Sequence, residues 1–162
     1  MTRDVSARLE RMRARMAEEG IVQFYCRDLS NVKWLTGFEG VFDDEPAHLV
    51  LVTANDAVLH TDSRYADAAE RAAAGTPWRV EARKSHAAWT AEFVDAQGAG
   101  RMGIETSMTL GEYRALEAAF AEAPQAPEQV VLDLLDHLGV RFLGQVLAAG
   151  VHGEGRAPLA HV

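Results

Sequence analysis

The chain has 162 residues, 48% of them hydrophobic and 25% charged, with a formal charge of −8. That length suffices for one domain with its own core, and the acidic balance argues against a generic binder of nucleic acid or anionic membrane. The single cysteine, Cys26, rules out an intrachain disulfide; the charged N-terminus does not fit a secretory signal, no stretch reaches the roughly 18 apolar residues of a membrane span, and a cytoplasmic protein is expected.

Residues 4–19 predict an amphipathic helix, because Val5, Leu9, Met12 and Met16 recur at three- and four-residue steps before Gly20. Arg3, Arg8, Arg11, Arg13 and Arg15, interrupted by Glu10, Glu18 and Glu19, read as its solvated side rather than as a basic patch. Ile21 to Cys26 is an apolar run rich in β-formers and predicts a buried strand. Leu29 to Phe38 predicts a strand-to-helix corner. There Ser30 is placed to accept from free backbone N–H groups, Val32, Trp34 and Leu35 pack, and Gly37 supplies a left-handed stop. Glu39 to Pro46 is an acidic loop whose Pro and Gly deny it a regular ladder. Ala47 to Thr53 and Ala57 to Thr61 predict an antiparallel hairpin across Ala54-Asn55-Asp56.

Asp62 or Ser63 is placed to cap a helix over 63–74, with Tyr65, Ala68, Ala69 and Ala72 on one face and Gly75-Thr76-Pro77 as its end. Trp78 to Ala82 reads as a strand with Trp78 and Val80 on one side. Residues 86–97 read as a helix carrying Trp89 and Phe93, and Met102 to Glu105 as a short strand. Thr109 and Glu112 form a capping box, with Met108 and Tyr113 placed for a hydrophobic staple. Tyr113, Leu116 and Phe120 continue the buried face until Pro124 and Pro127. Alternating strands and helices with one hairpin predict an α/β fold, a mixed β-sheet with helices on both faces. Gln129 to Leu138 is helical in pattern. The expected organisation is a domain over 1–127 followed by 128–162, a helix and a Gly-rich tail that is poorly packed after about Leu143.

Three segments carry a resemblance. Ser30-Asn31-Val32-Lys33-Trp34-Leu35-Thr36-Gly37-Phe38 resembles the SN-x-(Y/W)-L-TGF signature of the N-terminal domain of the creatinase/prolidase/aminopeptidase P group. Thr61-Asp62-Ser63-Arg64-Tyr65 is similar to its TD-x-RY segment, and Met102-Gly103-Ile104-Glu105 with Thr109, Leu110 and Tyr113 to a third. Order and spacing agree over roughly residues 5–123. The resemblance implies that domain's fold, also a mixed sheet with helices. It further implies a parent Xaa-Pro metallopeptidase whose two divalent metal ions are held by two aspartates, a histidine and two glutamates in a C-terminal domain. None of the matched positions is one of those ligands, so no cofactor is expected in this chain and the catalytic half is expected to be missing from it. After about residue 127 the fit weakens: a charged segment typical of the family is replaced by Gly139-Val140-Arg141-Phe142-Leu143-Gly144-Gln145.

The chain's own candidates for chemistry are few. Asp43, Asp44, Glu45 and His48 form the best candidate metal cluster but lack a defined ligand spacing, and a solvated acidic loop is the commoner outcome. His152 and Glu154 are weaker. Cys26 lies in a buried-strand pattern, where a thiol behaves as a small hydrophobe. Ser63 lacks a nucleophile-elbow setting, and His60 occupies an ordinary strand position. No P-loop or dinucleotide-binding glycine pattern occurs.

For Asp62, Arg64 and Tyr65 the structural reading is a cap, an ion pair and a packed ring. The resemblance adds a role in closing a neighbouring subunit's active site over substrate. The Gly37 to Pro46 loop then forms the rim, Phe38 and Phe42 flank a substrate side chain, and Arg64 meets a carboxylate. The expected function is thus a non-catalytic N-terminal domain of an Xaa-Pro peptidase, inactive alone and working in oligomerisation and substrate gating. Its expected partners are a second copy or a catalytic metallopeptidase domain, with peptide substrate and neither nucleic acid nor membrane. A stand-alone peptide- or protein-binding module of the same fold is the alternative, and a small carboxylate-metal hydrolase on the acidic loop a distant third.

Overall fold

The computed structural model describes residues 2–82, 85–97, 100–121, 128–132 and 145–146. Helix α1 (Thr2–Glu18) buries Val5, Leu9, Met12 and Met16, the four residues that set its period. Its polar side does more than face water. Arg8 donates to the Trp34 carbonyl at 2.6 Å and Arg13 to the Thr53 carbonyl at 2.8 Å, so two of the arginines tie the helix to the sheet and to α2.

Strand β1 (Ile21–Cys26) is central. It pairs antiparallel with β2 (Leu49–Thr53) on one side and parallel with β5 (Arg101–Glu105) on the other. β2 continues through the predicted hairpin into β3 (Ala57–Thr61), and β3 pairs parallel with β4 (Arg79–Ala82). Across the sheet the order is β4-β3-β2-β1-β5, continued by β6 (Glu128–Leu132) and β7 (Gln145–Val146). Period-two alternation then sorts the core. Phe24, Cys26, Val50, Val52 and Leu59 face α1, α2 (Leu29–Thr36) and α3 (Ala66–Ala73). Tyr25, Leu49, Leu51, Val58 and Ile104 face α4 (His86–Gln97) and α5 (Leu110–Ala121). This is the mixed sheet with helices on both faces.

Local corrections concern caps and one element type. Asp28, not Ser30, caps α2, its carboxylate accepting from the Ser30 and Asn31 N–H groups at 3.0 and 3.1 Å. An aspartate one residue before the helix presents its oxygen to the first free N–H groups, which Ser30, already inside the first turn, is poorly placed to do. Gly37 ends α2 at φ 65°, and a Cβ there would meet Val5 Cγ2 at 2.7 Å, so both backbone and space require glycine. α3 starts at Ala66 without a side-chain cap; Asp62 instead accepts from the Arg64 N–H at 2.8 Å, closing a turn. The helix expected over Gln129 to Leu138 is overturned in its first part. Residues 128–132 form a strand in register with all of β5, because Val130 and Val131 are β-formers beside an open sheet edge. Residues 133–138 and the tail expected to be poorly packed lie outside the described residues, β7 apart.

The capping box stands as read. Thr109 N–H donates to Glu112 Oε2 at 2.9 Å and Glu112 N–H to Thr109 Oγ1 at 3.2 Å, while Met108 and Tyr113 pack against the second core. Thr109→Ala is therefore expected to lower stability by about 1 kcal/mol, read as a shift in denaturant midpoint at unchanged slope.

Candidate functional site

Strands β1, β3, β4 and β5 run in one direction, so Cys26, Thr61, Ala82 and Glu105 all end at the same edge of the sheet. In open α/β sheets this carboxyl edge is where ligands are met. The three sequence signatures converge there.

The first convergence is on Glu105. Its carboxylate is buried, 5% exposed. One oxygen accepts from the backbone N–H groups of Arg27 at 2.6 Å and Asp28 at 2.8 Å; the other accepts from Asn31 Nδ2 at 2.7 Å and the Cys26 thiol at 3.2 Å. Four donors satisfy the buried acceptor, so it is a structural clamp between the end of β5 and the start of α2. Burial, reinforced by the Glu105 carboxylate, pushes the Cys26 thiol up, so it stays protonated and unreactive. Arg27 completes the clamp through its ion pair with Glu112 at 2.9 Å and a hydrogen bond to the Pro46 carbonyl.

The second convergence holds the loop that follows Gly37. Tyr65 donates to Asp43, and Arg64 pairs with Glu45 at 2.6 Å and with Asp62 at 2.7 Å. The hydrogen bond from Tyr65 holds the Asp43 carboxyl below its usual range, and the same bond pushes the Tyr65 phenol up to about 12. Hydrogen bonding to Arg64 likewise holds Asp62 low. Beneath the loop, His48 is buried opposite Thr61 across the hairpin, its Nδ1 2.9 Å from Thr61 Oγ1, and burial lowers its pKa.

Rings connect the whole rim. Phe38 and Phe42 stack at 6.4 Å and 14°. Phe42 meets His48 edge-on at 4.6 Å, His48 meets Tyr65 at 4.6 Å, and the Arg64 guanidinium lies 5.2 Å from the Tyr65 ring. Phe38, Phe42 and Arg64, the residues singled out for gating, thus lie on one ladder. Its two middle rungs, His48 and Tyr65, were not read as connectors. Tyr65 offered a signal in its motif; the pairing of His48 with Thr61 is visible only once the hairpin register is known.

Asp43, Glu45 and His48 do not converge as ligands, since they face Tyr65, Arg64 and Thr61 respectively. Among the described residues no group of three or more His, Cys, Asp or Glu is placed to hold a metal ion. No helix among them is long and apolar enough to cross a membrane.

On the opposite face His60 is fully buried rather than ordinary. It lies over Trp89 at 4.5 Å, and its Nδ1 is 2.6 Å from that of His86.

Residues 8–135 match the model of the creatinase/prolidase N-terminal domain. The chain belongs to that family. The N-terminal domain of the cytoplasmic peptidase PepQ from Mycobacterium tuberculosis H37Rv is 30% identical, with a TM-score of 0.64 over 79% of this chain and 94% of that one. An Xaa-Pro aminopeptidase structure from Streptococcus pyogenes is 26% identical, with a TM-score of 0.63 over 80% of this chain and 95% of that one. The uncharacterized peptidase YqhT of Bacillus subtilis is 31% identical over 121 residues, which are 74% of this chain and 33% of YqhT. The chain thus spans about a third of the length of that curated relative. In this creatinase/prolidase N-terminal domain the first and third signatures meet through Asn31 and Glu105, and the second holds the loop that follows the first.

Proposed function

We propose that this chain serves as the non-catalytic N-terminal domain of an Xaa-Pro peptidase, working in self-association and in gating substrate at the Gly37 to Pro46 loop. The observation that carries the reading is the ladder from Phe38 to Arg64, which fixes an otherwise irregular loop at the carboxyl edge of the sheet. A loop so braced keeps little conformational freedom to lose when it meets a partner. Phe42 offers an apolar face suited to a proline ring, and Arg64, exposed though paired with Glu45 and Asp62, would meet a peptide carboxylate by exchanging one of those partners. The relatives described as Xaa-Pro aminopeptidase and cytoplasmic peptidase supply the substrate class and the compartment. The metal pair that such chemistry uses does not fit the described residues, and in this reading another domain holds it.

The test uses the purified chain. An Xaa-Pro dipeptide and an Xaa-Pro-Xaa tripeptide are offered with manganese, cobalt or zinc in turn, and no turnover is expected. Turnover abolished by changing both Asp43 and Asp44 to Ala overturns the reading in favour of the acidic loop as a metal site. Sedimentation then reads association. A chain that stays monomeric at every concentration, and does not bind a separately supplied catalytic domain, removes the assembly role and leaves a free-standing binding module.

A further inference from the structure

A groove of about 350 Å³ opens between α1, the end of α2 and the rim loop. Its apolar floor is Val5, Phe38 and Phe42, with the two rings nearly parallel. Four charged residues line it, and two are already used. Arg8 pairs with Asp4, donates to the Trp34 carbonyl and lies 5.4 Å from the Trp34 ring. The remaining two, Lys33 on α2 and Glu39 past the glycine stop, are exposed, and neither has an ion-pair partner among the described residues.

We propose that this groove binds a small zwitterion, an α-amino acid or dipeptide, with its carboxylate on Lys33, its ammonium on Glu39 and its side chain on the Phe38–Phe42 floor. Charge decides the class. A simple anion meets repulsion from Glu39 and a simple cation from Lys33, whereas one molecule carrying both signs can set each against its opposite. Size agrees, since the volume is at the small end of ligand pockets, below what a folded partner or long peptide needs. Gly37 lies between the two charges in sequence, its left-handed turn ending α2 after Lys33 and redirecting the chain into Glu39. The site deepens the gating reading and rests on it, since it shares Phe38, Phe42 and the loop after Gly37, while Arg64 and the metal chemistry take no part.

The experiment is an amide NMR titration of the full chain with alanyl-proline, its N-acetyl form and its C-terminal amide. Saturable shifts at Lys33 and Gly37 to Phe42 are expected with alanyl-proline. Affinity should fall about five-fold for each blocked form, the loss of one exposed ion pair near the top of its usual range. The same fall is expected for Lys33→Gln and for Glu39→Gln, both surface changes that leave the fold intact. Shifts that do not saturate, that are equal for all three ligands, or that persist in both variants overturn the site. Shifts confined to His48, Arg64 and Tyr65 also overturn it, while leaving the gating reading in place.

Discussion

Glu105→Ala is expected to destabilise the domain by roughly 3–5 kcal/mol, the largest effect of any single change considered. The substitution removes a buried acceptor that serves Arg27 N–H, Asp28 N–H, Asn31 Nδ2 and the Cys26 thiol, the first three part-buried. Each donor left buried without a partner costs about 1–3 kcal/mol, and part of that is recovered as the chain relaxes. The damage spreads because Asp28 also caps α2. Glu105→Gln keeps the shape but turns an NH₂ group toward one pair of donors, so about half the loss is expected. Denaturant unfolding of the three proteins checks this. Equal losses for Ala and Gln would mean that acceptance at both oxygens rather than shape matters, and a loss under about 1 kcal/mol for Ala would mean that the clamp is not made.

The second large effect is acid lability through the histidine pair. Burial, with the neighbouring His60, lowers the His86 pKa to about 3, against about 6.5 in an unfolded chain. Between those values the unfolded chain binds a proton that the folded chain refuses, so stability falls as pH drops below 6.5 and levels off near 3. One proton corresponds to about 1.4 kcal/mol per pH unit, or about 2 kcal/mol between pH 6.5 and 5. Arg27 and His48 act in the same direction, and Asp62 opposes them. Asp43 and Asp62 add lability of the same sign only at lower pH, since their carboxyls are held below the ordinary range. His86→Gln keeps a partner for His60 without titrating, so the slope of urea melts from pH 7 to 5 should fall in that variant, leaving the part that buried His48 contributes with the same sign. An unchanged slope would assign the lability to other groups.

What the residues announced, and what they did not, divides by sequence distance. The period of α1, the hairpin and the Thr109–Glu112 box are patterns closed within a few residues, and all three stand in the structure. Placing the α2 cap on Ser30 is a local error of two residues, of the kind that boundaries invite when two nearby polar side chains compete for one role. The strand at Glu128–Leu132 was read as helix because a short apolar run fits both periods, and its deciding partner, β5, lies more than twenty residues earlier. The same distance hid the rim. Asp43 and Tyr65 were each visible, as an acidic loop residue and a motif ring, but nothing local couples them across 22 positions. His60 looked ordinary because its neighbours on α4 come 26 residues later.

The placement of β1 between an early and a late neighbour also has a kinetic side. The β2–β3 hairpin joins residues a few positions apart and closes at little entropic cost, whereas β1 must wait for β5, with Asn31 and Glu105 separated by 74 positions. That difference in loop closure predicts a folding barrier crossed with the hairpin formed and the Glu105 clamp still open. Interactions absent at that point act on the rate of escape from the native state rather than on the rate of reaching it. The three signature segments, two of them joined by that clamp, would thus set how long the rim stays assembled once made, while the hairpin sets how quickly it is made.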